Sequence, residues 1–328
     1  MKALNPAGAK RLVFDTDPGM GFPWADVDDN LALLFALAQE SLRVDLVSIV
    51  CGNVTAEDGV RSASHTLSLA GRKVPVGIGA RSPLVRPYRS GRSILADMGK
   101  GRGARLSYAG DFKDGEKALD VPWAFPMQVQ LLENTPSKVT FVCVGPLTNM
   151  AWLLQQRPDL AGRIETIVIM GGALNVRGNV SPFAEFNTWV DPEAARIVFD
   201  SSVEKVLAPL DVTTTVALSM EEMRSAFDPP NDFANYLLRA TEGWVEAMNV
   251  LSGRSIFNPH DPIALAWLVK PELFETTRMQ ILVEERTGRM IGREGQSGNT
   301  RVCLRVEESG FKKVFLDSLR SIVLGISG

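Results

Sequence analysis

The sequence predicts an α/β protein: a single doubly wound, mostly parallel, Rossmann-like sheet flanked by helices, with a C-terminal β-hairpin. Three observations carry that expectation. Short apolar runs rich in Val, Ile and Leu alternate with longer helical stretches, the pattern of strands buried on both faces with helices packed over them. Residues able to do chemistry fall just after those runs, where open α/β sheets bind ligands. No internal repeat, low-complexity tract or linker interrupts the 328 residues, so one domain over residues 1–328 is expected.

The elements follow in order. Leu12-Val13-Phe14 reads as a buried first strand, ended by Asp15-Thr16-Asp17 and a Pro18-Gly19 turn, with a helical pattern at residues 31–38. Residues 46–50 make a second strand that ends at Cys51-Gly52-Asn53. Thr55 and Asp58 are the capping pair of a helix reaching Ala70. Residues 74–78 make the third strand. The stretch 81–121 is basic, Gly-rich and poorly periodic, the mark of a functional or mobile loop within a compact domain. Residues 139–144 are the fourth strand, followed by Gly145-Pro146 and a helix capped by Thr148. Residues 164–170 and 206–210 are the fifth and sixth, ending at Gly171-Gly172 and Asp211. Asp191-Pro192 opens a helix by placing Pro at its first position after an Asp cap. Helices fill residues 231–251 and 261–269, and β runs at 279–284 and 301–307 lie around a Thr-Gly-Arg turn. A helix over residues 312–324 closes the chain. The strand ends at Asp15, Asn53, Val144 and Asp211 are expected on one edge of the sheet.

Composition sets ordinary bounds. An apolar fraction of 45% and a charged fraction of 22% suit a soluble globular protein. A net charge of −3 gives no electrostatic case for nucleic acid or an anionic membrane as partner. The opening MKALNPAGAKR lacks the apolar core of a signal peptide, and the longest apolar run, residues 31–38, is too short to span a bilayer. Cys51, Cys143 and Cys303 are odd in number and scattered, which reads as small buried hydrophobes in a reducing, cytoplasmic setting.

Four carboxylates, Asp15, Asp17, Asp28 and Asp29, gather between the first strand and its helix. Helix capping by Asp26 or Asp28 and a turn-forming Asp account for one or two of them. Acids crowded without a partner repel one another and lose hydration, so a cation is their natural companion. Asn53 alone reads equally well as a turn residue. The turn Gly145-Pro146-Leu147-Thr148-Asn149 can aim a carbonyl at a hard cation. In GNVSPFAEFNTWVDPEAA, the Asp-Pro helix start leaves Glu185 and Asn187 unexplained. With Asn179 they set polar groups around the aromatic Phe186, a combination suited to a sugar joined to a flat base. His260-Asp261-Pro262 repeats the cap-plus-Pro device, which by itself accounts for Asp261. His260 is one of two histidines; the other, His65, lies mid-helix among apolar residues and reads as structural.

Taken together, DTDPG, DD, GN, VGPLTN, MGG, GN..PFAEFN, VDPEA and HDP resemble the calcium-dependent nucleoside hydrolases of the inosine-uridine-preferring family, in order, from Val13 to about Arg320. The resemblance implies Ca2+ held by Asp17, Asp29, the main-chain carbonyl of Val144 and Asp261. It places a ribose against Asp28, Asn53, Asn179, Glu185 and Asn187, an aromatic near the nucleoside at Phe186, and Asp15 behind the metal ligands. An all-oxygen donor set favours calcium or magnesium over zinc. A calcium shell of roughly six to eight oxygens leaves room for a water and two ribose hydroxyls. One departure stands out: the family usually has a single residue between the Pro-Gly turn and the Asp pair, where residues 20–27, with an exposed-looking Trp24, stand here.

The implied activity is hydrolysis of the N-glycosidic bond of a ribonucleoside to free base and ribose, through an oxocarbenium-like state. In the family's manner a calcium-bound water is activated by Asp17, and His260 protonates the leaving base. The partner is then a small ribonucleoside, and a homodimer or homotetramer is expected. For the base, residues 76–121 hold no histidine but offer Arg81, Arg86, Tyr88 and Arg89; the helix before His260 offers Tyr236, Trp244 and Met248. Stacking on Trp24 or Trp244 would favour a purine slightly. Two other readings compete. A haloacid-dehalogenase-like phosphatase shares the DxD strand end, but Pro-Gly after Asp17, FAEFN and HDP speak against it. A non-catalytic calcium-dependent nucleoside or sugar binder is opposed by the joint presence of Asp17 and His260.

Overall fold

Strand and helix alternate through most of the chain. The computed structural model describes residues 8–100, 112, 120–295 and 298–325. Its first half comprises β1 (Lys10–Thr16), α1 (Asp28–Ala38), β2 (Leu42–Ile49), α2 (Ala56–Leu69), β3 (Val76–Ile78), α3 (Gly91–Gly99), α4 (Ala124–Asn134), β4 (Val139–Cys143) and α5 (Thr148–Gln156). Then come β5 (Ile164–Met170), α6 (Phe186–Val190), α7 (Pro192–Asp200), β6 (Lys205–Ala208), α8 (Leu210–Thr213), α9 (Met220–Ala226), α10 (Asp232–Ser252) and α11 (His260–Val269). The chain closes with β7 (Phe274–Glu284), β8 (Arg289–Glu294), β9 (Thr300–Val306) and α12 (Glu308–Leu324).

Among the described residues nine strands form one sheet, in the order β3-β2-β1-β4-β5-β6-β9-β7-β8. Pairings are parallel from β3 through to β9, and β7 runs antiparallel to both β9 and β8. Chain order reverses between β1 and β4, so the loops leaving those two strands diverge and open a crevice, as at the switch point of other doubly wound sheets. Parallel pairing puts the carboxyl ends of β1, β2, β4, β5 and β6 on one edge. Asp15, Asn53, Val144 and Asp211 therefore share that edge.

Period-two alternation along the strands feeds two apolar layers. Leu12 and Phe14 of β1, Val47 and Ile49 of β2, and Val168 of β5 face a layer completed by α1, α2, α10, α11 and α12. Val13, Leu46, Phe141 and Ile167 face the other, covered by α4, α5 and α7. Full burial of a side chain such as Phe14 or Phe141 contributes about 1.5–3 kcal/mol.

Several elements differ from expectation, each for a local reason. The stretch 81–121 contains α3, whose Ser90 cap accepts the Ser93 N–H; its remainder at 101–111 and 113–119 lies outside the described residues. The sixth strand starts at Lys205, a buried lysine that no apolar pattern would place, because its ammonium donates to the carbonyls of Ser201 and Val203 at 2.7 and 2.8 Å. The same strand stops at Ala208, and Leu210 opens α8. The Thr-Gly-Arg turn joins β7 to β8, an edge strand whose alternation RMIGRE is too polar to read as β; the run at 300–306 is a third strand that joins β6 and β7. Thr148 is not a cap: Leu147 occupies that position, and the Thr148 hydroxyl donates to Asp191 Oδ2 at 2.6 Å. Cys51, Cys143 and Cys303 are buried free thiols.

Candidate active site

The end of β1 delivers three polar side chains into the buried crevice. Asp15 accepts the Asn149 amide at 2.9 Å, and Asn149 in turn accepts the Ala80 N–H at 2.8 Å, so the Asn of VGPLTN fixes Asp15 to the neighbouring loops. Burial lifts the Asp15 carboxyl to about 7 against that hydrogen bond. Thr16 donates its hydroxyl to Asp29 Oδ1, which also accepts the Asp17 N–H at 3.1 Å. The Asp17 carboxylate accepts the Asn53 N–H at 2.5 Å and lies between two glycines. A Cβ at Gly52 would stand 2.0 Å from Asp17 Oδ2, and one at Gly145 would stand 2.6 Å from Oδ1.

The start of α1 supplies Asp28 and Asp29, both buried. No side chain caps α1: Val27 holds that position, and Asp26, one residue earlier, accepts the N–H groups of Val27 and Asp28 at 2.7 and 3.3 Å, so Asp28 and Asp29 are not spent as caps. Asp261 enters on the first turn of α11. It is not a cap either, since Pro259 holds that position and no side chain caps the helix; its N–H donates to Asp28 Oδ2 at 3.2 Å. Carboxylate oxygens of Asp28, Asp29 and Asp261 lie within 4.8 Å of one another. Burial, followed by the charge of neighbouring aspartates, pushes Asp17, Asp28 and Asp261 well above the usual carboxylate range. Burial also raises Asp29, against the Thr16 and Asp17 donors. Buried acids that raise one another in this way fit a hard cation, and the three clustered carboxylates offer it oxygen donors.

Relative to the expected ligand set, the tightest group thus contains Asp28, assigned above to the ribose. Asp17 adjoins the group through Asp29. The Val144 carbonyl accepts the Asn187 amide at 2.7 Å, beside Gly145 and Asp17. Glu185 caps α6 by accepting the Asn187 and Thr188 N–H groups at 2.7 and 3.1 Å, and it takes the Gly172 N–H at 2.9 Å. Asn179 accepts the Phe186 N–H at 2.9 Å. Both amide atoms of Asn53 are engaged with the Asp26 backbone, at 3.0 and 3.1 Å. Phe186 reaches the start of α3: a Cβ at Gly91 would be 2.9 Å from its ring and 3.4 Å from the Asn53 Cα.

His260 opens α11, and its Nδ1 pairs with the Thr213 hydroxyl at 2.8 Å, which leaves Nε2 as the nitrogen able to meet another partner. Burial draws its pKa down to about 4. Thr213 carried no signal in sequence, because its partner lies beyond two helices, α9 and α10, and the loops that join them. His65 stacks edge-on with Tyr236 at 5.0 Å and with Phe112 at 5.4 Å. Tyr236 is buried while Trp244 is partly buried against the core. Arg81, Arg86 and Arg89 bind Glu57, Glu193 and Asp97, and the Tyr88 hydroxyl donates to the Val54 carbonyl at 2.6 Å. The Trp24 ring lies against Gly99.

Fold and site define the class: a doubly wound α/β protein with a cluster of buried carboxylates, able to hold a hard cation, at the switch point of its sheet. The family model for inosine-uridine preferring nucleoside hydrolases matches residues 12–313. A non-specific ribonucleoside hydrolase, RihC, from Salmonella paratyphi B is 34% identical over 92% of this chain and 95% of its own length. Among solved structures, a purine-preferring ribonucleoside hydrolase from Gardnerella vaginalis superposes with a TM-score of 0.82 at 26% identity, over 97% of this chain and 100% of that one. A plant nucleoside hydrolase gives a TM-score of 0.79 at 25% identity, over 95% and 99%. The chain belongs to the inosine-uridine preferring nucleoside hydrolase family and is a ribonucleoside hydrolase.

Proposed function

We propose that this enzyme cleaves the N-glycosidic bond of ribonucleosides by adding water to the anomeric carbon, with calcium held by Asp17, Asp28, Asp29, Asp261 and the Val144 carbonyl. The observation that carries the reading is the set of mutually repelling buried carboxylates beside His260 at the sheet's switch point. When bound, a hard divalent cation supplies positive charge that eases deprotonation of water and draws in vicinal ribose hydroxyls. Asp17 takes the proton of the attacking water, its carboxylate oriented by the Asn53 N–H. The surrounding acids stabilise positive charge on the ribose ring as the C–N bond breaks. Asn179, Glu185 and Asn187 shape the sugar side, Glu185 by fixing the first turn of α6 that carries Asn187 and Phe186. As an imidazolium, His260 donates its Nδ1–H to the Thr213 hydroxyl and gives its Nε2 proton to the departing base, returning to the neutral imidazole. Base and ribose are the products.

We read the chain as one domain acting as a homodimer or homotetramer, on the family resemblance, and as cytoplasmic, on its buried free thiols. No helix among the described residues is long and apolar enough to cross a membrane. The relatives are named for both non-specific and purine-preferring activity, so the test uses purine and pyrimidine ribonucleosides. Each is incubated with and without a chelator, and free base and ribose are measured. Chelator-sensitive release is expected; release of phosphate from an aryl phosphate with no free base would sink the reading. His260→Ala should lower turnover of a natural nucleoside by about 10²–10⁴-fold, the span of general acid catalysis. It should hardly slow a nitrophenyl riboside, and equal losses on both substrates would refute the acid role.

A further inference from the structure

We propose that Arg92, acting through residues 20–27, is a positioning residue for the carboxylates of the cation site; this rests on the cation reading above. Residues 20–27 join the Pro18-Gly19 turn to Asp28 and Asp29, so freedom in that segment becomes freedom between Asp17 on β1 and the Asp pair on α1. A connection of this kind costs conformational entropy to order, and here it is pinned along its length. Met20 donates its N–H to Asn30 Oδ1 at 3.1 Å and accepts the Ser62 hydroxyl at 2.7 Å. Phe22 is 2% exposed, with its ring 4.9 Å from Phe112 and 5.2 Å below the Arg92 guanidinium. Arg92 Nε also donates to the Pro23 carbonyl at 3.1 Å. Trp24 takes a left-handed backbone (φ 67°), a strained choice for a residue with a side chain, and sets its ring on Gly99.

Arg92 links this segment to the rest of the site. Its side chain holds Phe22 and Pro23 and approaches Asp58 of α2 at 3.8 Å, while its backbone N–H donates to the Asn53 carbonyl at 2.8 Å. Asn53 pairs its amide with the Asp26 backbone and gives its own N–H to Asp17. A line of contacts therefore runs from Arg92 to Asp17 on one side and to the Asp pair on the other. Phe22, covered by Arg92 and Phe112, serves this clamp and is not open to a nucleobase.

The test is calcium affinity, measured by titration calorimetry on the full chain for wild type, Arg92→Met and Arg92→Lys, with hydrogen exchange followed over residues 19–30. Arg92→Met keeps a flexible side chain over Phe22 but loses the Nε–H and the charge. Its calcium Kd should rise about 10–100-fold, as when groups supporting metal ligands are removed. Exchange in the segment should quicken, and saturating calcium should restore base release. Arg92→Lys, which keeps the charge without the planar fork, should fall between and carries the test if the Met variant does not fold. An unchanged Kd in a folded variant, beside a wild type that binds calcium, overturns the proposal alone. A wild type that takes up no calcium and releases no base sinks the cation reading and the clamp with it.

Discussion

Gly52→Ala should disable the enzyme while leaving it folded, and the reason is steric. The added Cβ would stand 2.0 Å from Asp17 Oδ2 and 2.8 Å from Pro146 Cδ, against an optimum near about 3.5–4.0 Å for non-bonded carbon contacts. Asp17 yields only at a cost, because the Gly145 backbone lies against its other oxygen and the Asn53 N–H holds it at 2.5 Å. The carboxylate or the turn must therefore shift by about 1 Å, a displacement that can cost about 10²-fold in rate. Gly52 is not among the glycines with a left-handed backbone, so alanine meets no conformational penalty there. Overpacking of this order costs about 1–3 kcal/mol, tolerable for a folded chain. The assay is steady-state release of base from a nucleoside, with thermal melting alongside. Gly171→Ala is the control: it occupies the equivalent strand end, yet its nearest neighbour is Glu185 Oε2 at 3.4 Å, and its kcat should stay near wild type. A Gly52→Ala enzyme with wild-type kcat would show that Asp17 is not confined as described, or is not used.

Three further outcomes follow. In the chelated protein, Asp15 titrates near 7 when folded against 3.8 as a free carboxyl, and the clustered aspartates shift the same way. The folded state then binds more protons than the unfolded one between those values, so stability falls as pH rises through that window; melting temperature should drop from acid to neutral pH, and added calcium should raise it most at the neutral end. Asp261→Asn should raise the melting temperature in chelator, by relieving repulsion, while abolishing the gain from calcium; a loss under both conditions would refute the repulsion argument. Thr148→Val leaves Asp191 Oδ2 without its hydroxyl donor and should cost about 1–3 kcal/mol in denaturant unfolding, with little change in calcium affinity.

Much of the fold was legible because strand and helix write their periods into short windows. The Val- and Ile-rich runs at β1, β2, β4 and β5 could be placed, and so could the edge of the sheet on which Asp15, Asn53 and Val144 lie. The helix α3 was not, because it is short, has Gly at both ends and lies within a basic, Gly-rich stretch. Nor was β8, an edge strand with one face in solvent. Thr55 and Asp191 cap their helices as the local pattern dictates, each side chain meeting an N–H three residues on, whereas Thr148, Asp28 and Asp261 do not, because tertiary partners claim them.

The sequence by itself determined the kind of protein: apolar periods dictate a parallel, doubly wound sheet, and the ordered acidic motifs place oxygen donors at its carboxyl edge. Which acids converge was decided only by tertiary structure. Asp261 meets Asp28 across 233 residues, and no local pattern encodes a partner that far away. Asp26 takes the backbone N–H groups of Val27 and Asp28 while the Asp28 carboxylate turns to the cluster, Glu185 spends its carboxylate on the turn that carries Asn187, and Thr213 selects the free nitrogen of His260. Each is a choice among several partners of similar intrinsic affinity. It is settled by which of them the packed layers bring within about 3 Å, the reach of a hydrogen bond.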